Sequence, residues 1–401
     1  MISVEEAQNI IIEKISSLNE MENIPLLESI GRVLAKDVLA PFDQPPFSNS
    51  AMDGFALRST DVTNASPESP VVLEVTRFQS AGSDFCELPL NCAIEIATGA
   101  PLPRGSDAVM MKEDVKPQDG KIIVTQPLKR GENVRNQGED LLEGTQLFLK
   151  GEKIKEKNVG LLASFGFASV EVIRKPRIAY VATGDEIVKA GEMKKEHQIY
   201  NSNALSLKAL FKKEGCEFFD FGICRDSISE LNFFIKKALE TKPDIFVLTG
   251  GVSVGRHDFV RQILEENGAE IFFHKVSVKP GKPLLFAKFK DSFVFGLPGN
   301  PLSSQVGFYQ FIYPAIQKLL NAKKYFLEQE MALLQGEIFK NKRHLFLIGF
   351  KKMINETITV IPFKEGSGNV ASFSLGNCLI SIPPGSGKLE KNSLVTIQDY
   401  V

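Results

Sequence analysis

The sequence predicts a multidomain α/β protein in which a three-layer α/β/α domain is combined with two β-rich regions. Strand-like and helix-like segments alternate between residues 176 and 320. Short β-type runs separated by Gly and Pro occupy residues 55–140 and return in residues 331–401. The length of 401 residues suggests more than one domain, and the hydrophobic fraction of 43% is ordinary for a protein with a buried core.

Composition argues against several classes of protein. The 47 Lys and Arg residues balance 49 Asp and Glu residues, so no broad basic face for nucleic acid is expected. No apolar run approaches the roughly 20 residues of a membrane span, and the acidic N-terminal segment does not resemble a signal peptide. The five scattered cysteines and four histidines show no zinc-site spacing. We therefore expect a cytoplasmic protein that does not contact a membrane.

The N-terminal region is predicted to be helical over residues 3–40, because apolar residues recur there at helical spacing. Residues 142–174 follow a strand–helix–strand pattern, with the helix at about 155–165. We expect a discontinuous N-terminal domain made of residues 1–45 and 141–175. Residues 46–140 would then be an inserted β-rich domain.

Residues 176–325 are predicted to form a three-layer α/β/α domain. Strands that alternate with helices imply βαβ units and a largely parallel sheet covered on both faces. Ligands of such sheets bind beyond the carboxyl ends of the strands, which is where the polar loops of this segment fall. Residues 326–401 contain four short β runs and are predicted to form a C-terminal β-barrel.

The first polar loop follows the strand RIAYVAT directly. Its two adjacent carboxylates, Asp185 and Glu186, can hold a hard cation through oxygen. Taken alone, the loop favours a simple turn with solvated acids.

The second polar loop, residues 249–258, lies between a predicted strand and a predicted helix. Glycines and hydroxyls at a helix N-terminus predict a backbone N–H cradle for phosphate. The cradle residues are Thr249, Gly250, Gly251, Ser253 and Gly255. The segment matches neither the P-loop nor the Rossmann fingerprint. Asp258 at its end can equally be the N-cap of the following helix.

The third constellation joins the segment KPGKP to the segment GLPGNP. Lys279 and Lys282 can converge on one oxyanion, and Asn300 and Ser303 offer further donors at a helix start where Pro301 suits the first turn. A lone KPGKP segment is typical of an exposed loop. The repetition of Pro- and Gly-stiffened loops at strand ends of the same sheet weakens that interpretation.

Eight motifs follow one another in a single order: SNSAMDGFAL, IATGAPLPRGSDAV, GENVRNQGEDL, VATGDEI, YNSNALSL, LTGGVSVGRHDF, VKPGKPLLF and GLPGNPLSS. So ordered, they resemble the MoeA family of molybdopterin molybdenumtransferases, which includes the C-terminal domain of gephyrin and its plant counterpart. The resemblance extends from about residue 5 to the end of the chain.

The resemblance implies an enzyme that inserts molybdate into adenylylated molybdopterin, with Mg²⁺-dependent release of AMP, to give molybdenum cofactor. It implies that the three-layer α/β/α domain is adenylyltransferase-like. It also implies a homodimer whose active site lies between the α/β domain of one subunit and the inserted domain of the other. A separate adenylyltransferase would supply the molybdopterin-AMP, and molybdoenzyme chaperones are possible further partners. Two alternatives remain: a molybdopterin adenylyltransferase, which would need neither the insert nor the barrel, and a non-catalytic scaffold like gephyrin.

The resemblance also assigns roles to individual residues. The Mg²⁺ ligands would be Asp185, Glu186 and Asp258. The catalytic residues would be Asp53, Thr98, Glu186, Asp226 and Asp258. The phosphate cradle would hold the pterin substrate, and the lysines would bind molybdate. Arg343 and Ser372 of the barrel match positions that the family uses for molybdate.

Overall fold

The computed structural model describes residues 1–251, 259–363 and 370–400. It contains two compact units. One unit comprises Met1–Lys36, Gly151–Gly160 and Ala168–Val401, and the other comprises Asp37–Lys150 and Leu161–Phe167. No helix in the described part of the chain is long and apolar enough to cross a membrane. The division into four domains, with the boundaries given above, stays a prediction.

The chain begins with helix α1 (Val4–Lys14). A capping box starts it: the Ser3 hydroxyl accepts the Glu6 N–H at 3.0 Å, and the Glu6 carboxylate accepts the Ser3 N–H at 2.6 Å. The helix ends at Lys14, because Ile15 is already extended. The predicted helix over residues 3–40 is therefore wrong beyond residue 14.

Strand β1 (Met21–Pro25) and a one-turn 3-10 helix (Leu26–Ser29) follow within the segment that was predicted to be helical. The strand pairs antiparallel with Ser169–Ile173, a segment far along the chain. Pro25 lacks an N–H donor and disfavours helical backbone at the residue before it. Pairing with a distant strand, together with this proline, outweighs the local apolar spacing.

The second unit is built on a six-stranded sheet, which confirms the predicted β-rich insert. Its strands are β2 (Val38–Leu39), β3 (Asn49–Ser50), β4 (Gly54–Leu57), β5 (Val71–Gln79), β6 (Cys92–Ile96), β7 (Ala108–Met111), β8 (Val115–Gln118), β9 (Lys121–Val124), β10 (Val134–Arg135) and β11 (Gln146–Phe148). The sheet order is β7-β4-β6-β5-β9-β8, while β2 pairs with β11 and β3 with β10. Apolar residues of β4, β5, β6, β7 and β9 form the core of this unit.

The strand–helix–strand pattern predicted for residues 142–174 is confirmed by β11, α2 (Glu156–Ser164) and β12 (Ser169–Ile173). The α/β region then follows. Its elements are β13 (Arg177–Thr183), β14 (Ile187–Val188), β15 (Ile199–Tyr200), α3 (Ser202–Lys213), β16 (Glu217–Cys224), α4 (Ile228–Glu240), β17 (Ile245–Thr249), α5 (Phe259–Glu266), β18 (Glu270–Lys275), β19 (Val278–Lys279), β20 (Pro283–Phe289), β21 (Ser292–Leu297), α6 (Pro301–Gly307) and α7 (Tyr313–Leu319). A π-helical turn, Phe308–Ile312, joins the last two helices.

The sheet of this region has the order β16-β13-β17-β21-β20-β18. The first four strands are parallel, whereas β20 runs antiparallel to both β21 and β18. Alternate residues of β13 enter opposite layers: Tyr180 packs in a core with Phe211 of α3, and Val181 packs in a second core with Leu231 of α4. Burial on both faces explains the almost continuous apolar strand and confirms the predicted three-layer arrangement.

The C-terminal region is a closed five-stranded barrel, as predicted. Its elements are β22 (Gln329–Leu334), β23 (Ile338–Phe339), β24 (His344–Ile354), β25 (Thr357–Pro362), α8 (Val370–Leu375), β26 (Cys378–Ile382), β27 (Lys388–Leu389) and β28 (Leu394–Asp399). The barrel order is β24-β25-β22-β28-β26, and β26 pairs again with β24 to close it.

Candidate active site

The carboxyl ends of β13, β17 and β21 open onto a cavity of about 820 Å³. Its walls also include the loop of residues 279–283, residues 199–203 at the start of α3, the start of α6, the barrel strand β24 and Ser372 of α8. This is the edge at which parallel sheets bind ligands. The volume lies within the range of about 300–1,000 Å³ that is usual for small-molecule sites.

Most of the predicted site residues of the α/β region and the barrel line this cavity. They are Glu186, Asp226, Gly250, Gly251, Lys279, Lys282, Asn300, Ser303, Arg343 and Ser372. Asp185 and Thr249 do not line it. Ser253, Gly255 and Asp258 lie outside the described residues. The roles assigned to all of these residues stay predictions.

Asp53 and Thr98 belong to the second unit, where they bind each other. The backbone N–H of Thr98 donates to Asp53 Oδ1 at 2.7 Å, and its hydroxyl donates to the same oxygen at 3.1 Å. The hydrogen bond from the Thr98 backbone lowers the pKa of Asp53 below its usual value, with the Thr98 hydroxyl adding to it. Asp53 is therefore an ionised carboxylate at neutral pH.

Thr249 is held beneath the cavity by Tyr180, a residue that the sequence analysis missed. The two hydroxyl oxygens are 2.7 Å apart, and both residues are buried. Burial raises the pKa of Tyr180 well above its usual value, so its hydroxyl stays neutral. The hydroxyl of Thr249 is thus engaged with the protein, which indicates a supporting role at the floor. One signal was available: Tyr180 carries the only side-chain hydroxyl within the apolar run IAYVA.

Tyr180→Phe is expected to lower the free energy of unfolding by about 1 kcal/mol, because it removes one buried hydrogen bond and leaves the Thr249 hydroxyl unpaired. Urea denaturation of the two proteins measures this difference. Tyr325→Phe is the matched control, since Tyr325 is half-buried and packs beside Lys318 outside the cavity. Equal stability of the two variants would contradict a structural role for the buried pair.

The loops at this edge approach each other so closely that glycine is required. Gly250 has φ of 85°, and a Cβ there would lie 2.4 Å from the carbonyl oxygen of Thr183. The Gly250 N–H donates to the Leu297 carbonyl at 3.0 Å, which joins the ends of β17 and β21. Gly184 has φ of 145°, a backbone conformation that residues with a Cβ rarely adopt. Bare backbone therefore forms part of the floor, where a ligand can approach main-chain groups.

Three cationic side chains, from two segments that contact each other, line the cavity. Lys279 and Lys282 come from the 279–283 loop, and Arg343 immediately precedes the barrel strand β24. The two segments are joined, because β19 pairs in parallel with the start of β24 and Arg343 Nη1 donates to the Val278 carbonyl at 2.9 Å. Convergent ammonium and guanidinium groups fit a small oxyanion.

Two carboxylates line the same cavity, Glu186 after β13 and Asp226 after β16. The Asp226 N–H donates to Asp185 Oδ1 at 3.4 Å, so Asp185 lies behind them. Within the described ranges, no group of three or more His, Cys, Asp or Glu residues is placed to hold a metal. Mg²⁺ in proteins is often held by only one or two carboxylates, and its other oxygen ligands come from substrate phosphates and water. Glu186 and Asp226 fit this kind of site.

Three family models match consecutive parts of the chain. The model of the MoeA N-terminal region (domain I and II) matches residues 2–166. A probable molybdopterin binding domain matches residues 179–318, and the MoeA C-terminal region (domain IV) matches residues 332–400. A molybdopterin molybdenumtransferase from Haemophilus influenzae is 34% identical over 100% of this chain and 99% of its own length. The chain belongs to the MoeA family.

Further relatives and two solved structures support the same family. A molybdopterin molybdenumtransferase from Staphylococcus epidermidis is 34% identical over 99% of this chain and 95% of its own length. Two solved structures of the molybdopterin biosynthesis MoeA protein from Pyrococcus horikoshii superpose with TM-scores of 0.88 and 0.84, at 32% and 30% identity. Both cover 100% of this chain and 99% or more of their own. The resemblance inferred from the ordered motifs is confirmed.

Proposed function

We propose that this MoeA protein is a molybdopterin molybdenumtransferase and that its pterin substrate is adenylylated, with Mg²⁺-dependent release of AMP. The observation that carries the proposal is that one cavity is lined by both cationic and acidic side chains. We refer to Lys279, Lys282 and Arg343 as its cationic side and to Glu186 and Asp226 as its acidic side. A reaction that brings a molybdenum oxyanion to a phosphorylated organic substrate can use both. The cations would bind the oxyanion, and the carboxylates would hold a Mg²⁺ ion that neutralises charge on the phosphate groups.

The cationic side would bind molybdate. A tetrahedral dianion accepts charge-assisted hydrogen bonds from Lys279, Lys282 and Arg343, which are about twice as strong as neutral ones. Asn300 and Ser303, at the start of α6, add neutral donors in the same wall. The pairing of β19 with β24 keeps the lysine loop beside the barrel, so the three cations are placed together before the anion arrives.

The acidic side and the glycine floor would bind the phosphate groups of the pterin substrate. Gly250 and Gly251 line the cavity and carry no side chain that would block a phosphate group. Glu186 and Asp226 would hold Mg²⁺, which when bound neutralises negative charge on phosphate oxygens. Glu186 is directed toward this floor, since its carboxylate lies over the backbone of Gly184.

Homodimer formation, supply of molybdopterin-AMP by a separate adenylyltransferase, and participation of Asp53 and Thr98 in the reaction are part of the same proposal. They rest on membership of the family. Sedimentation velocity of the purified protein tests the dimer. Asp53→Asn, which keeps a hydrogen-bond acceptor for Thr98 but removes the charge, tests the carboxylate by its effect on AMP release.

The assay of function is incubation of the purified protein with molybdopterin-AMP, molybdate and Mg²⁺. We expect AMP release and formation of molybdenum cofactor, both abolished when molybdate is omitted or Mg²⁺ is chelated. Formation of molybdopterin-AMP from ATP and free molybdopterin, without the insertion reaction, would instead establish an adenylyltransferase. Absence of both reactions would indicate a scaffold.

A further inference from the structure

Ser372 lies on a helix that is too short to position it alone. Helix α8 has only 6 residues, Val370–Leu375, whereas isolated helices need about 12–15 residues even to be marginally stable in water. Yet Ser372 is only 3% exposed and lines the cavity. Its place must therefore be determined by what α8 packs against.

Tyr400 packs against Phe373, the residue that follows Ser372 in α8. Its hydroxyl donates to the carbonyl of Phe373, the residue after Ser372, at 3.1 Å. The two rings stack with centroids 4.5 Å apart and an interplanar angle of 14°. The end of the helix also lies against Tyr400, because a Cβ at Gly376 would be 3.0 Å from the same hydroxyl. The Tyr400 hydroxyl thus lies close to the backbone at two positions, Phe373 within α8 and Gly376 just after it.

Tyr400 is itself held by other elements that line the cavity. Its carbonyl accepts the Lys213 ammonium at 2.9 Å and the Tyr309 hydroxyl at 3.3 Å. Lys213 is the last residue of α3, and the first residues of α3 line the cavity. Tyr309 lies in the π-helical turn that follows α6, and the first residues of α6 also line the cavity. Tyr400 is 7% exposed. It therefore links α8 to two other walls of the same cavity.

We propose that Tyr400 is a positioning residue that holds Ser372 in the wall of the cavity, where Ser372 would contact bound molybdate. This inference rests on the proposed function and goes beyond it, because it assigns a role in oxyanion binding to a residue that does not line the cavity. The hydroxyl is the specific element, since a phenylalanine ring would keep the stacking on Phe373. Burial raises the pKa of Tyr400 well above its usual value, so the hydroxyl is a neutral donor and no change in pH profile is expected.

A double-mutant cycle tests the proposal. Tyr400→Phe, Ser372→Ala and the double variant are compared with the wild-type protein in two measurements. Equilibrium dialysis with molybdate alone gives its Kd, and the AMP-release assay at saturating molybdopterin-AMP gives kcat and the KM for molybdate. Loss of one hydrogen bond predicts that Tyr400→Phe raises the Kd and KM for molybdate by about three- to tenfold, with kcat unchanged. In the Ser372→Ala background, Tyr400→Phe should have no further effect, because the two residues act as one unit.

Independent, multiplicative effects of the two substitutions would overturn the proposal, as would a fall in kcat with an unchanged KM. Tyr325→Phe is the control for loss of a tyrosine hydroxyl elsewhere. If Tyr400→Phe does not fold, Tyr309→Phe removes the hydroxyl that donates to the Tyr400 carbonyl and should act in the same direction more weakly. A wild-type protein that binds no molybdate overturns the proposed function and this inference together. If the wild-type protein binds molybdate but the effects of Tyr400→Phe and Ser372→Ala are additive, only this inference is overturned.

Discussion

Lys282→Ala is expected to lower kcat/KM for molybdate by about 100-fold, equivalent to roughly 2.7 kcal/mol. Lys282 lies three residues after Lys279 in the loop that forms the cationic side of the cavity. Removing its ammonium takes away one charge-assisted hydrogen bond, so that molybdate would be bound by only two cations, Lys279 and Arg343. Because the side chain is exposed, the substitution should hardly change folding stability.

The measurement is AMP release against molybdate concentration at saturating molybdopterin-AMP, together with equilibrium dialysis of molybdate. Lys288→Ala is the matched control, because Lys288 is also exposed, lies near the other end of β20 and does not line the cavity. The control should retain wild-type kinetics. A loss smaller than threefold in Lys282→Ala, or an equal loss in both variants, would show that molybdate is not bound by this loop.

Gly250→Ala is expected to destabilise the protein much more than Gly268→Ala, although both glycines have nearly the same φ angle. Their φ angles are 85° and 83°. Alanine in this left-handed region costs about 1–2 kcal/mol at either position. At Gly250 the new Cβ would also lie 2.4 Å from the Thr183 carbonyl oxygen, whereas nothing lies within 4 Å of a Cβ at Gly268. Overpacking of this kind typically adds about 1–3 kcal/mol.

Urea denaturation of the two variants measures this steric contribution as a difference, since the shared backbone strain cancels. AMP release should fall in Gly250→Ala beyond what its lower stability explains, because β17 and β21 are joined at this residue at the cavity floor. Gly268→Ala should keep wild-type activity. If the two variants lose equal stability, the close approach of Gly250 to Thr183 contributes nothing.

The α/β domain and its polar loops could be predicted from the sequence because the signals are local. An apolar strand such as RIAYVAT, followed by Gly and two acids, is visible in a few residues. Carboxyl ends of parallel strands meet at one edge of a sheet, so loops that follow such strands are brought together regardless of their separation in sequence. Glu186, Asp226 and Gly250 illustrate this, as each follows a different strand and all three line one cavity.

The segment after α1 could not be predicted in the same way. The apolar spacing of residues 18–34 is compatible with a helix, but β1 forms because its partner lies at Ser169–Ile173. Pairing across the whole inserted unit leaves no local trace in the sequence. The tyrosines were missed for a similar reason: Tyr180 meets Thr249, and Tyr400 meets Phe373, only after the chain has folded.

The sequence by itself determined the order of the elements, the loops that carry polar residues, and membership of the MoeA family. All of these depend on residue identity and spacing along the chain. Only the tertiary structure decided which side chains face the cavity. The Thr249 hydroxyl is paired with the Tyr180 hydroxyl, because a buried hydroxyl needs a hydrogen-bond partner. Arg343 reaches the lysine loop because β19 pairs with β24, a contact that joins two regions through backbone hydrogen bonds and is not encoded in either segment alone.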